Sequence, residues 1–345
     1  MKAKLRKTYN YIIRFLIILA TFGFIYREIT HKHDLAGIYK NFTAHIHSVD
    51  FLLGFLSVFA LVFVNWGIEA RKWQYLIKKI EAVSWLKAFE ATLSGVAVSS
   101  FTPNRIGDYL GRVFILEKAN RIQGILITII GSMAQFLTTF IAGTAGIAIM
   151  VGIYNEPIAR YMGMSEKSFW FAYFSLSLLT LLIYIYSLLF FTNVSVITDI
   201  TGQIFRKRWE KLKRYLEIFS LYKTGELLKV LYFSAWRFLV FTLQFYILLR
   251  VFGAEVPLAE GLILIGIVFV AVTIIPTIAI TELGIRGSVS LYVFGLYFAQ
   301  QAQEGGMPEV AVVAASSVLW LINLAFPALL GAVLVFNLKF FRKND

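Results

Sequence analysis

"SSFTPNRIGDYLGR", Ser99 to Arg112, follows directly on the apolar run AFEATLSGVAV (Ala88–Val98) and precedes a long apolar stretch from Ile122 to Tyr154. A proline, an asparagine, two arginines and an aspartate therefore lie between segments otherwise suited to lipid. Lipid cannot satisfy the amide and carbonyl groups that a broken helix frees. Irregular backbone at membrane depth is tolerated only where it faces protein or a wet cavity. Read this way, the stretch is the tip of a re-entrant hairpin whose polar groups line a cavity. Pro103 stops one helix and Gly107 permits the turn into the next.

Composition supports a membrane setting for that hairpin. The 345 residues are 59% hydrophobic and only 15% charged, with a mean hydropathy of +0.73. A soluble surface needs a charged fraction nearer one quarter. Spanning candidates run over Tyr9–Tyr26, Val49–Gly67, Ile122–Tyr154, Ser168–Phe191, Leu227–Phe252 and Val310–Phe336. Two shorter apolar stretches, Leu86–Ser100 and Leu258–Ile275, each end in a proline-containing polar motif. The expected fold is an all-α polytopic membrane protein with six full spans and two re-entrant hairpins, forming a single membrane domain. Its parts are a first helix and polar segment (1–48), a first repeat (49–154, hairpin 86–121), a linking helix (168–191), a cytoplasmic amphipathic segment (192–226) and a second repeat (227–337, hairpin 258–300).

The net charge of +13 points to lipid rather than nucleic acid because of where the cations fall. With a cytoplasmic amino terminus, one side collects Lys2 to Lys7, Arg71, Lys72, Lys78, Lys79, Lys87, the cluster from Arg206 to Lys223, and Lys339 to Lys343. That asymmetry obeys the positive-inside rule if both short stretches return to the side they entered, and it places both termini in the cytoplasm. The basic start followed by YIIRFLIILATFGFIY shows no small-residue cleavage site, so it reads as an uncleaved first helix. In FRKRWEKLKRYLEIF (Phe205–Phe219) apolar residues recur at helical spacing among cations, which predicts a helix lying on the cytoplasmic leaflet. The chain has no cysteine, and its four histidines share one polar stretch, His31 to His47, which reads as solvated interface. No metal or cofactor is expected.

A second copy of the hairpin motif lies in "IIPTIAITELGIRGSVSLYVFG" (Ile274–Gly295). Pro276 precedes Glu282, Gly284 and Arg286 there, as Pro103 precedes Gly107, Asp108 and Arg112 in the first copy. The carboxylate and arginine stand four apart in both, so each pair shares a helical face. The helices bracketing the two motifs run in opposite directions in the expected topology. Broken segments at corresponding places in inverted halves point to a transporter-like fold with its site where the segments meet. Gly284 takes the turn role in the second copy.

Asn104, Arg105, Asp108, Arg112, Arg237, Glu282 and Arg286 are the candidate substrate-binding residues. An unpaired charge at this depth costs about 2.5–3.5 kcal/mol or more, and the two carboxylates cannot satisfy all these arginines. Guanidinium forks match phosphate oxygens bidentately, so a lipid phosphate is the expected anion. Arg112 and Arg286 are expected to hold it in turn, each carboxylate pairing with the unoccupied arginine. A purely structural role, locking the hairpins by ion pairs, is the competing reading. For Arg237 a partner such as Gln244, seven positions on, would suffice.

Thr102-Pro103 with Gly107-Asp108 and Arg112, and later Pro276 with Gly284-Ile285-Arg286, resemble the transmembrane region of lysylphosphatidylglycerol synthases and the related YbhN-like membrane proteins. The similarity covers roughly Phe51 to Phe336. It implies a bacterial inner-membrane protein with a lipid-flippase-type fold that binds or moves a phospholipid or lipid-linked anion. That family's second motif usually reads Gly-Leu-Gly-Val-Arg-Glu. Here Glu282-Leu283-Gly284-Ile285-Arg286-Gly287 moves the carboxylate to four before the arginine. After Phe336 only NLKFFRKND follows, so the aminoacyl-transfer domain of the synthases is not expected and the chain is not expected to be an enzyme. A lipid-sensing or scaffold protein that moves nothing, or a membrane-embedded transferase with Asp108 as base, are the alternatives.

Overall fold

The computed structural model describes Leu16 and residues 48–100, 102, 105–196, 215–275, 279–300 and 308–335, with backbone alone at 279–281. The expected first helix apart from Leu16, the four histidines, residues 197–214 of the amphipathic segment, Pro103, Asn104 and Pro276 lie outside the described residues.

Among the described residues the secondary structure is helical and holds no strand. The helices are α1 (Val49–Ile77), α2 (Trp85–Ser99), α3 (Gly107–Val113), α4 (Arg121–Ile153), α5 (Asn155–Tyr161), α6 (Glu166–Thr192), α7 (Thr224–Val251), α8 (Leu258–Ile274), α9 (Ala279–Gln300), α10 (Glu309–Trp320) and α11 (Phe326–Leu334). A π-helical turn, Leu321–Ala325, joins α10 to α11. Pro327 follows it and supplies no N–H, which breaks the regular ladder at this point. Serine or asparagine N-caps open α1, α2, α4 and α6, each side chain accepting a bond from a first-turn amide. Five helical stretches are long and apolar enough to cross a membrane: α1, α4, α6, α7 and the continuous run Glu309–Leu334.

α1 and α7 pack along their length in antiparallel fashion. Phe51 meets Phe252, Gln244 Nε2 donates to the Val58 carbonyl at 3.0 Å, Asn65 meets Arg237, and Lys79 pairs with Glu226 at 2.8 Å. The two short apolar helices each pack on a helix distant in the chain. α8 packs on α4 and α2 packs on α11. Glycine makes both crossings. A Cβ on Gly143 would overlap Val270 and come within 2.6 Å of the Gly266 carbonyl, and one on Gly331 would run into the Leu93 carbonyl. The small-residue pair Gly143 and Gly146 is therefore spent inside the chain, against α8.

α6 stands at the rim with only Phe169 and Phe191 buried. Tyr173 and Tyr184 tie it to α4 through hydroxyl bonds to Ala148 O (3.2 Å) and Thr144 Oγ1 (2.6 Å). The described end of the amphipathic segment turns inward: Ile218 and Phe219 are buried within the bundle, which corrects the expectation that Phe219 faces the leaflet. Tyr222, just beyond, donates to the Leu76 carbonyl at 2.8 Å. Burial, and then the Glu226 carboxylate nearby, push its phenol well above the ordinary range, so it remains a donor.

Candidate functional site

The tip of the first hairpin is built from close backbone approach. Thr102 Oγ1 accepts from the Gly107 amide at 2.8 Å, and a Cβ at Gly107 would strike the Val98 carbonyl. Arg105, with φ of 56°, carries the left-handed turn. The expectation that Gly107 makes the turn is therefore corrected: it provides room at the start of α3, and the reversal falls two residues earlier. Gly284 is corrected more fully. It lies inside α9, without a positive φ, and a Cβ there would meet nothing.

Both carboxylate and arginine pairs form as their spacing requires. Arg112 Nε and Nη2 bind Asp108 at 2.8 and 2.7 Å, and Arg286 Nη2 binds Glu282 at 3.0 Å. The two motifs, far apart in the chain, meet in space. Arg105 Nη2 lies 2.6 and 2.7 Å from the two Glu282 oxygens. Both pairs are closed at once, so the structure holds Arg112 with no Nη or Nε left over: its Nη1 binds Glu69 at 2.8 Å.

Glu69 is the centre of the network and was missed by the sequence reading. It takes Arg112, Lys72 at 2.8 Å and Arg237 at 3.2 Å, all from inside the bundle. Lys72 is 1% exposed and also donates to Gly131 O and Ser234 Oγ, so it does not belong with the cytoplasmic cations. α1 runs on to Ile77, nearly three turns past Gly67, where the expected span ends, and carries both residues into the core. The available signal was Glu69 and Lys72 at a three-residue spacing behind Trp66, a pair able to neutralise itself within the helix. Arg237 is held by Glu69, Asn65 Oδ1 at 3.1 Å and Gln135 Oε1 at 3.5 Å, whereas Gln244 serves Val58 instead. Asn65 in turn donates to Asn323 Oδ1 at 3.0 Å, which ties the arginine to the π turn.

These side chains line two adjoining chambers. One, of about 200 Å³, is bounded by Arg105, Arg237, Glu282 and Arg286 with Trp66, Phe241 and Phe269. The other, of about 280 Å³, is bounded by Glu69, Lys72, Arg105, Asp108, Arg112 and Arg237. Trp66, Arg105, Gln135, Thr139, Arg237 and Thr273 belong to both walls. Together the chambers present five cations (Lys72, Arg105, Arg112, Arg237, Arg286) against three carboxylates (Glu69, Asp108, Glu282). Arg286 is 8% exposed, sits over the Phe241 and Phe269 rings, and has Nε and Nη1 without a hydrogen-bond partner among the described residues. Buried guanidinium donors of this kind call for an acceptor, because leaving them unmade is costly. No group of three or more metal-ligating side chains occurs among the described residues.

No curated protein and no solved structure matches the chain. The family described as lysylphosphatidylglycerol synthase TM region matches residues 11–331, nearly the whole length. The chain is a multi-pass membrane protein and belongs to the lysylphosphatidylglycerol synthase transmembrane-region family.

Proposed function

We propose that the paired chambers bind the phosphate of a phospholipid or lipid-linked anion and that the protein moves that lipid across the membrane without altering it chemically. The observation that carries this reading is Arg286, buried at the chamber wall with two donor groups unpartnered, where cations exceed carboxylates by two. A phosphodiester placed between Arg286, Arg105 and Arg237 would supply the missing acceptors and offset the excess charge. Arg112, saturated by Asp108 and Glu69, positions α3 in this state and becomes available only if Asp108 swings away.

The architecture proposed for this task is six full spans with two re-entrant hairpins, α2–α3 and α8–α9, in an inverted repeat. The antiparallel α1 and α7, and the exchange of α2 and α8 between halves, support it. The charge asymmetry supports cytoplasmic termini, and membership of the family supports a bacterial inner membrane as the location. Alternating access then asks for two states of similar energy, and competition between phosphate and carboxylate for the same guanidinium supplies them.

Reconstituted vesicles carrying a fluorescent phospholipid test the reading. Wild type is expected to expose inner-leaflet lipid to an impermeant quencher. Arg286→Lys keeps the charge but loses the fork, and should slow that movement by about tenfold, the equivalent of one charge-assisted hydrogen bond of ~1.5 kcal/mol. Lipid bound by the protein but never moved would favour a sensing or scaffold role. Wild-type rates in Arg286→Lys and Arg286→Ala alike would reduce the network to structural ion pairing.

A further inference from the structure

Beside the polar chambers an apolar groove of about 580 Å³ opens between α4 and α6, with Met133, Leu137 and Phe140 on one side and Ile183, Phe190 and Phe191 on the other. Its volume falls within the range of about 300–1,000 Å³ usual for small-molecule sites. Tyr109, Ser132 and Phe136 line both this groove and the chamber that holds Arg105, Arg112 and Arg237. A hydrophobic channel and a cationic chamber thus share one threshold, which carries two hydroxyl groups. A second apolar pocket, around Met150, Tyr154, Leu264 and Tyr297, shares no wall with either chamber.

The groove exists because α6 is held to α4 unevenly. Tyr173 and Tyr184 bond to α4 at Ala148 and Thr144, and Phe140 closes edge-on against the Tyr184 ring. Beyond Tyr184 the groove is lined on the α6 side by Tyr186, Ser187 and Phe190 as far as Phe191, which is buried near the end of the helix. The cleft therefore has an aromatic stop at one end and a threshold onto the charged chamber along its side.

We propose that this α4–α6 groove holds an acyl chain of the phospholipid whose phosphate occupies the adjoining chamber, with its glycerol and ester region crossing the threshold at Tyr109, Ser132 and Phe136. The inference rests on the reading of the chambers as a lipid-phosphate site. An amphiphile needs apolar and cationic volumes that are contiguous, and this is the place among the described residues where a groove and the chamber share walls. Ester oxygens at the threshold can accept from the Tyr109 hydroxyl, since Ser132 Oγ already donates to the Thr128 carbonyl at 3.3 Å, and each buried methylene adds to affinity.

The test uses the full chain in vesicles of phosphatidylcholine and phosphatidylglycerol, the latter bearing a diazirine midway along one acyl chain. Irradiation is expected to label Leu137 and Phe191, which are 6% and 2% exposed, besides outward residues such as Phe171 and Phe174 that any surrounding lipid reaches. Met133 and, on the opposite wall, Ser187 line the groove and neither chamber. Met133→Trp and Ser187→Trp should each lower that inward labelling and the rate of lipid movement by about tenfold, the loss of roughly two methylenes of burial. Binding of glycerol 1-phosphate to the purified protein should persist in both. Labelling confined to Phe171 and Phe174, or α6 crosslinked through the groove to a second copy of the chain, would overturn the proposal. If Arg286→Ala abolishes glycerol phosphate binding while both tryptophan variants move lipid at the wild-type rate, the groove assignment falls and the chamber assignment stands. If Arg286→Ala changes neither binding nor movement, the chamber assignment fails first.

Discussion

Glu69 concentrates more of the site's energetics than any residue in the two motifs, since Arg112, Lys72 and Arg237 all converge on one carboxylate from three helices. Removing one partner of a buried ion network leaves uncompensated charge, at a cost of about 3–5 kcal/mol. Glu69→Ala should lower the thermal unfolding midpoint in detergent accordingly, followed by intrinsic tryptophan fluorescence. Adding Lys72→Met, which takes away one stranded charge, should restore part of the loss; an unchanged midpoint in Glu69→Ala would remove it from the centre of the network. Arg105 poses a different question, because its left-handed backbone is strained for a side chain with a Cβ. Arg105→Gly and Arg105→Ala both lose the Glu282 pair, but glycine relieves about 1 kcal/mol of backbone strain. The glycine variant should therefore melt higher than the alanine variant, while both move lipid slowly. Residue spacing made Asp108 with Arg112 and Glu282 with Arg286 legible in the sequence, because four residues is one helical turn. Glu69 was not legible, since its partners at 112 and 237 are brought to it only by tertiary packing.

At the scale of elements, the crossings of α4 with α8 and of α11 with α2 are made by glycines set against backbone carbonyls of the facing helix. Gly143→Ala and Gly331→Ala should each destabilise the protein by about 1–3 kcal/mol, the usual cost of overpacking. Chemical denaturation in mixed micelles would measure it. Gly284→Ala should do the opposite and stabilise by about 0.5–1 kcal/mol, since it places alanine in a helix interior with open space at the Cβ. The five long helices were readable from hydropathy to within a turn or so, α1 excepted. That helix outran its expected end because Glu69, Arg71 and Lys72 look like a cytoplasmic flank, while Lys72 is buried and neutralised in place. The turn at Arg105 was hidden for a related reason: glycine is the default for positive φ, and an arginine anchored to Glu282 can replace it.

For the molecule as a whole, the charge asymmetry and the antiparallel packing of α1 on α7 make a topological prediction that a cysteine-free chain is well suited to test. Met162→Cys and Glu255→Cys should react with an impermeant thiol reagent added outside intact cells, whereas Ala82→Cys should react only after permeabilisation. The reverse pattern would invert the membrane orientation. That a polar cavity lies between the two hairpin motifs was readable from their duplication, but its excess of cations and its division into two chambers depend on distances between residues far apart in the chain. The packing of α2 on α11 also bears on how the protein is made. During synthesis α2 enters the membrane early, yet its seat on α11 is formed by residues near the end of the described chain. Until translation reaches Glu282, Arg105 lacks its carboxylate, and until it reaches Gly331 the Leu93 face of α2 is uncovered. A chain halted before α9 would therefore carry an unmatched arginine next to α2, whereas one halted before α11 would leave only the Leu93 face bare, so truncations at these two points should differ in how readily they are degraded.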